Sequence, residues 1–370
     1  MDDPSEEQLA RARDLHRRAV VIDTHCDTTQ RLLNDSWDFG ERHAYGHVDL
    51  PRLQEGGVRA VFFAVYAPDS PEPGVAVAAA RTQLAKFRDL TLRYAPSVAL
   101  ARTAADVGEA QAKSRVAVLI GIEGGHLIDD SLEILREYHD QGATYLTLTH
   151  AEHNHWADSA GVHEPLLPRH GGLTEFGREV VRELNRLGVM VDVSHVSDDT
   201  FWDVLETSVA PVIASHSSCR SVAPHRRNLS DEMIRAVAAG GGTVQINFAA
   251  LFVDPGFPAL DPEAAQRSWA RWWTHGDGAD EPVTNHVTPL SRLVDHFDHA
   301  IQLVGPGHVG IGSDFDGTLV LPRGMEDCSK LPYLTAALLE RGHGEEEVAK
   351  VLGANVLRVM ETCQRLARSP

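Results

Sequence analysis

Positive charge is scarce in this chain. It has 34 Lys and Arg against 53 Asp and Glu, a net charge of −19 over 370 residues. So acidic a balance argues against nucleic acid or an anionic membrane surface as a partner. Long apolar runs are missing too, and with them any segment able to span a bilayer. Cysteine is sparse. Cys26, Cys219, Cys328 and Cys363 are scattered with no C-x-x-C pair, which speaks against a disulfide framework and suits a reducing compartment. The acidic start, Met1 to Glu7, lacks the basic and apolar stretches of a secretory leader. Together these absences point to a cytoplasmic protein. There is no internal repeat, low-complexity tract or interdomain linker, so residues 1–370 are expected to form a single domain.

What is present is an ordinary globular composition, 43% hydrophobic and 24% charged, able to bury a sizeable core. Short apolar runs recur at 19–24, 58–66, 116–122, 144–149, 189–193, 212–214, 243–248 and 308–312. Each is nearly continuous rather than alternating, as expected of parallel strands buried on both faces. Helical patterns lie mostly between or around them, at 6–18, 75–94, 130–140, 174–187, 198–207, 230–239, 289–304, 332–341 and 345–366. Eight strand and helix alternations predict an α/β chain folded as a (β/α)8 TIM-type barrel. An open doubly wound sheet is the other architecture, but no Gly-rich phosphate turn follows an early strand.

The polar residues at the strand ends carry the functional signal. In such a barrel the chemistry gathers at the C-terminal ends of the strands. The first run ends in His25 and Asp27, the third in Glu123, the fourth in His150, the fifth in His195, the sixth in His216 and the eighth in Asp314. One open catalytic zinc needs three protein ligands. Five candidates, His25, Asp27, Glu123, His195 and His216, suit two metals about 3.5–4 Å apart with a bridging carboxylate and hydroxide. Glu123, on the glycine-flanked turn Gly121-Ile122-Glu123-Gly124-Gly125, is the candidate bridge. Asp314 is then free to accept a proton from the bridging water and pass it to a leaving amine, and His150 to donate to an oxyanion.

A wider set of motifs runs in order from about residue 16 to about residue 360. It comprises Asp23-Thr24-His25-Cys26-Asp27, Gly121-Ile122-Glu123-Gly124, Leu148-Thr149-His150, Asp192-Val193-Ser194-His195-Val196, Ser215-His216-Ser217 and Gly312-Ser313-Asp314-Phe315-Asp316-Gly317. His47-Val48-Asp49-Leu50-Pro51-Arg52-Leu53 and Arg226-Arg227-Asn228 agree with it. This set resembles the membrane (renal) dipeptidase family of the amidohydrolase superfamily. The resemblance implies a (β/α)8 barrel with two zinc ions and a dipeptide substrate, hydrolysed by a metal-bridging hydroxide. It implies that His25 and Asp27 bind one zinc, His195 and His216 the other, and Glu123 both. Asp314 would shuttle the proton, His150 would polarise the scissile carbonyl, and Arg227 would hold the substrate carboxylate through its two-pronged guanidinium. Tyr66 and Asn154 fall where the family lines its pocket, and a homodimer is a family expectation. Manganese, iron or cobalt would also suit these ligands. The alternatives are a related amidohydrolase acting on a lactone, cyclic amide or phosphoester, and a non-catalytic metal-binding scaffold.

Several neighbours read as structural. Cys26 should point away from the ligands on either side of it. His153 and His155 read as loop or supporting residues, and Cys219 as a packed thiol. Asp316 reads as a carboxylate binding backbone N–H groups of its own turn. Trp269, Trp272 and Trp273 are spaced for one helix face, with packing as the first reading and a lid or subunit contact as the second.

Overall fold

The computed structural model describes residues 4–70, 72–162, 164–261, 263–268 and 284–367. Each of the expected apolar runs forms a strand, and one short strand is added. In chain order they are β1 Ile22–Cys26, β2 Ala60–Val65, β3 Val98–Leu100, β4 Val116–Glu123, β5 Ala143–Thr147, β6 Met190–Asp192, β7 Ile213–Ala214, β8 Thr243–Ile246 and β9 Val309–Ile311. All pair in parallel, in the order β1-β2-β4-β5-β6-β7-β8-β9. The last strand comes back to the first. Cys26 bridges Phe315, Asp27 N donates to Phe315 O at 2.8 Å, and Asp314 N donates to His25 O at 3.1 Å. The result is a nearly closed eight-strand barrel of the (β/α)8 type, as the strand count predicts. The extra strand β3 lies off this path and pairs only with the start of β4.

Alternation along the strands divides the core. Val61, Phe63 and Val65 on β2, with Val118, Ile120 and Ile122 on β4, pack in the large cluster that takes in the surrounding helices. Ala60, Phe62, Ala117, Leu119, Tyr145, Met190 and Ile213 form a second cluster with Val356, Val359 and Met360 of the last helix. Phe62 on β2 and Tyr145 on β5 stack with centroids 5.7 Å apart although β4 separates their strands. That contact spans the barrel interior, so the second cluster fills the barrel. Period-two alternation explains the split, because neighbouring residues on a strand face opposite sides.

The helices fall close to their expected places, from Glu6–Arg18 to Leu331–Glu340, and many start at a side-chain cap. Ser5, Thr174, Ser197 and Ser230 each accept a backbone N–H of the first turn, which satisfies donors the helix cannot. The final helix differs from expectation. Glu345–Ala349 and Asn355–Leu366 are separated by a wider turn over Lys350–Ala354. Gly353 lies in that turn, and a Cβ there would stand 2.4 Å from Val20 O. The turn therefore lets the chain press against the start of β1. Leu50–Glu55, Ala104–Ala112 and the short Ala250–Val253 are helices in stretches where the sequence pattern placed none. Trp269, Trp272 and Trp273 lie outside the described residues.

Candidate metal centre

The strand ends bring the expected ligands to one mouth of the barrel. Glu123, the last residue of β4, is buried there. Its Oε1 lies 3.2 Å from His195 Nε2, 3.4 Å from His25 Nε2 and 3.5 Å from His216 Nε2. His25 Nε2 is also 3.5 Å from Asp27 Oδ2. One carboxylate oxygen thus faces three imidazoles that arrive from β1 and from the turns after β6 and β7. Asp314 joins His25 and Asp27 on the other side, and His150 joins Glu123 and His195. Within the described residues the donor atoms converge as His25, Glu123 and His216; as Glu123, His150 and His195; and as His25, Asp27 and Asp314. The groupings overlap, and His195 Nε2 and His216 Nε2, set together by the sequence expectation, lie 2.9 Å apart.

The backbone is bent to make these placements. His195 and Asp314 have φ of 69° and 63°, in the left-handed region that non-glycine residues enter at a cost. Gly317 leaves room for two carboxylates. A Cβ there would meet Asp27 Oδ2 at 2.1 Å and Asp314 Oδ1 at 2.3 Å. Gly121 leaves room for the Tyr145 ring, which a Cβ would meet at 2.0 Å.

Supporting hydrogen bonds fix the ligands and decide a tautomer. Ser215 Oγ is 2.6 Å from Asp192 Oδ2, which can only accept its proton. Ser215 Oγ therefore accepts from His216 Nδ1 at 2.8 Å, and His216 Nε2 is left as a lone pair directed at the cluster. His25 Nδ1 lies 2.8 Å from the Tyr145 hydroxyl, while His25 Nε2 has no hydrogen-bond partner. Asp23 accepts from the backbone N–H groups of His25 and Ser313 and from the Ser313 hydroxyl. Asn247 Nδ2 donates to Asp314 Oδ2 at 3.0 Å. Sequence reading overlooked Tyr145, Asn247 and the supporting roles of Asp23 and Asp192. The signal for Asp23 and Asp192 was present, since each is a carboxylate set in an apolar strand.

The donor set fits divalent cations. Burial, and then the charge of Glu123, push Asp27 up to about 8. Burial also raises Asp314 and holds His195 and His216 well below the usual imidazole range. Neutral His195 and His216 beside crowded carboxylates, whose charge holds His25 well above the usual imidazole range, are the arrangement a cation would stabilise.

A cavity of about 310 Å³ opens over this centre, lined by Asp27, Tyr66, Glu123, His150, His195 and Asp314. The Tyr66 and His150 rings lie 4.4 Å apart. Arg227 sits behind the lining, 3% exposed, with Nη2 3.2 Å from His216 O, Nη1 3.4 Å from Ser217 Oγ and Nε without a partner. Asn154 does not line the cavity. Its Nδ2 donates to Leu148 O, and its Oδ1 accepts from the N–H groups of Trp156 and Ala157. This loop folds the amide back onto the backbone.

The neighbours take the structural places expected of them, with one difference. Cys26 is buried against Phe62 O and Thr28, and burial raises its thiol well above the usual range. It points away from the ligands, as strand alternation requires. His153 accepts from Ser159 N and reaches Leu167 O, and His155 pairs with Asp130. Asp316 accepts from Arg31 Nε at 2.9 Å, His47 N at 2.9 Å and Thr28 Oγ1 at 2.8 Å. Those bonds lead to other segments rather than to its own turn.

A model of the membrane dipeptidase family matches residues 9–370. The chain belongs to the membrane dipeptidase family. Dipeptidase verJ of Clonostachys rogersoniana is 36% identical over 331 residues, covering 87% of this chain and 77% of its own. The structure of dipeptidase AC, a metallopeptidase, superposes with a TM-score of 0.79 at 29% identity, over 94% of this chain and 99% of that one. A Rhodobacter sphaeroides metallopeptidase, bound to a phosphinate mimic of L-Ala-D-Ala, gives 0.76 at 30% identity, over 93% and 99%. A membrane dipeptidase family member is a metallopeptidase, so metal ions are implied for this site. Within the described residues, no helix is long and apolar enough to cross a membrane.

Proposed function

We propose that residues 1–370 form one zinc-dependent dipeptidase domain, with His25, Asp27, Glu123, His195 and His216 as its metal ligands. The observation that carries this reading is the single Glu123 oxygen facing three imidazole nitrogens at 3.2–3.5 Å. A carboxylate in that position is suited to two cations rather than one. When bound, two divalent cations would bring the pKa of a shared water towards neutrality and polarise an amide carbonyl.

The chain's own residues supply the rest. Asp314 is held through Oδ2 by Asn247, so Oδ1 can take a proton from the attacking water and return it to the leaving amine. His150 is pushed down to about 4 by burial. It is therefore neutral at pH 7, and its ring N–H can donate to the developing oxyanion. Arg227 lies behind the cavity next to His216. Its unpartnered Nε and loosely held Nη groups are suited to a substrate carboxylate, which would restrict the enzyme to short peptides. Tyr66 closes the His150 side of the cavity. The convergence of His150 with Glu123 and His195 favours a second partition, in which His150 is a ligand rather than an oxyanion donor.

Metal analysis combined with turnover on a dipeptide panel, including D-residues at the second position, tests the reading. Hydrolysis with two zinc ions per chain is expected, and D-residues at the second position should be accepted. A metal-loaded protein that cleaves a lactone or phosphoester but no dipeptide would overturn it.

A further inference from the structure

The cavity has two unlike sides. The charged groups and imidazoles that line it, Asp27, Glu123, His150, His195 and Asp314, all belong to the metal centre. The remainder is largely apolar: Leu251 and Phe252 after β8, Phe257 and Leu260 farther along that excursion, and Leu319 and Val320 after β9. Among the described residues no Lys or Arg lies in the lining, so this side offers no partner to an acidic side chain, and none of its described residues is a carboxylate that could pair with a basic one.

The excursion is anchored where it leaves and where it returns. Asp254 accepts from Gly256 N at 2.9 Å, His286 Nε2 at 2.7 Å and Thr288 Oγ1 at 3.1 Å. Phe257 packs edge-on against the His286 ring, with centroids 5.6 Å apart. The wall is thus held by its own polar clamp, separate from the metal ligands. Its position relative to a substrate follows from Phe252, which lines the cavity and also packs under the Arg227 guanidinium at 5.4 Å. If Arg227 holds the free carboxylate, the wall flanks the residue that carries it.

We infer that this wall makes the enzyme selective for dipeptides whose carboxyl-terminal residue has a bulky apolar side chain, with Phe257 and Leu260 as specificity-determining residues. The inference rests on the dipeptidase reading. An apolar side chain entering the wall leaves water for matching surface. A carboxylate or ammonium there loses its hydration and gains no partner. One methylene in such a pocket discriminates by about 10–200-fold, so the difference between a leucine and an aspartate side chain should be at least of that order.

The test is kcat/KM of the zinc-loaded full chain on L,L-dipeptides: Ala-Leu, Ala-Phe, Ala-Gly, Ala-Asp and Ala-Lys, with Leu-Ala and Asp-Ala as the reversed pair. Ala-Leu and Ala-Phe should exceed Ala-Asp and Ala-Lys by about 10²-fold, with a smaller spread between Leu-Ala and Asp-Ala. Phe257→Ala and Leu260→Ala should each lower Ala-Leu about tenfold more than Ala-Gly. Leu319→Arg should raise Ala-Asp relative to Ala-Leu, which keeps the test open if an alanine variant folds poorly. Equal rates on Ala-Leu and Ala-Asp, selectivity confined to the amino-terminal residue, or wall variants that lower every substrate alike would overturn the inference while leaving a dipeptidase. Failure to cleave any dipeptide would remove the dipeptidase reading and this inference with it.

Discussion

Two groups of histidines in this molecule are equally buried and chemically opposite. Away from the barrel mouth, His16 is 2% exposed and His296 0%; at the mouth, His25 is 0% and His216 1%. His16 spends both ring nitrogens, on Gly56 O and Thr335 Oγ1, each at 2.7 Å. His296 accepts from Cys219 N through Nδ1 and donates to Val253 O through Nε2. The histidines at the mouth turn Nε2 towards Glu123 instead. His25 Nε2 has no hydrogen-bond partner, and His216 Nε2, left as a lone pair by Ser215 and Asp192 on its other side, meets another ring nitrogen, His195 Nε2, at 2.9 Å. Burial therefore does not mark a ligand. A ring nitrogen aimed at a shared carboxylate, and spent on no backbone or hydroxyl group, does, since a buried polar atom otherwise finds such a partner.

This contrast can be broken in several ways. The largest effect should come from Asp314→Asn. Turnover should fall by about 10²–10⁴-fold in kcat while metal content stays at the wild-type level. Steady-state kinetics with elemental analysis of the same sample reads both quantities, and near-wild-type kcat would remove Asp314 from the proton path. Arg227→Met comes next. Losing a buried charged contact to a carboxylate costs about 2–5 kcal/mol, so kcat/KM for dipeptides should drop accordingly, with the metals retained.

Tyr145→Phe tests the supporting shell. The His25 Nδ1 partner disappears while the ring still fills the barrel, and metal affinity should weaken by about 10–100-fold. Competition with a chelator measures it without reference to activity. An unchanged affinity would mean that packing alone orients His25.

The histidines outside the site give a smaller effect of a different kind. Burial pushes His16 and His296 down to about 4, against 6.5 for a free imidazole. The unfolded chain then binds more protons than the folded one between those values. The stability each contributes is complete above about pH 6.5 and is lost as pH falls towards 4, by up to about 3 kcal/mol each. Urea midpoints from pH 7 to pH 4 should fall for the wild type and fall less steeply for His16→Asn. Parallel curves would show that His16 protonates freely in the folded protein.

How much of this was legible in the sequence depends on where the signal lies. Continuous apolar runs marked the barrel strands, and the residue after each run marked the mouth. His25, Asp27, Glu123, His195, His216 and Asp314 all follow or end such runs, so they were found without coordinates. The strand Val98–Leu100 was passed over because three residues are too few for a period to declare itself. The helix Leu50–Glu55 was passed over although Asp49 caps it and Pro51 sits in its first turn. The Tyr145 hydroxyl, the inward turn of the Asn154 amide and the place of Arg227 behind the cavity depend on contacts between distant segments. No local pattern encodes those. The apolar wall was also out of reach, because Phe257 and Leu319 are ordinary apolar residues until the fold sets them opposite the metal ligands.

The central claim is that Glu123 joins two metal positions at the mouth of the barrel. A crystal structure of the zinc-loaded protein, with anomalous differences recorded at the zinc edge, tests it most directly. Two peaks about 3.5–4 Å apart should flank the Glu123 carboxylate, one against His25 and Asp27 and the other against His195 and His216. A single peak, or a pair that leaves Glu123 on only one of them, would contradict the account.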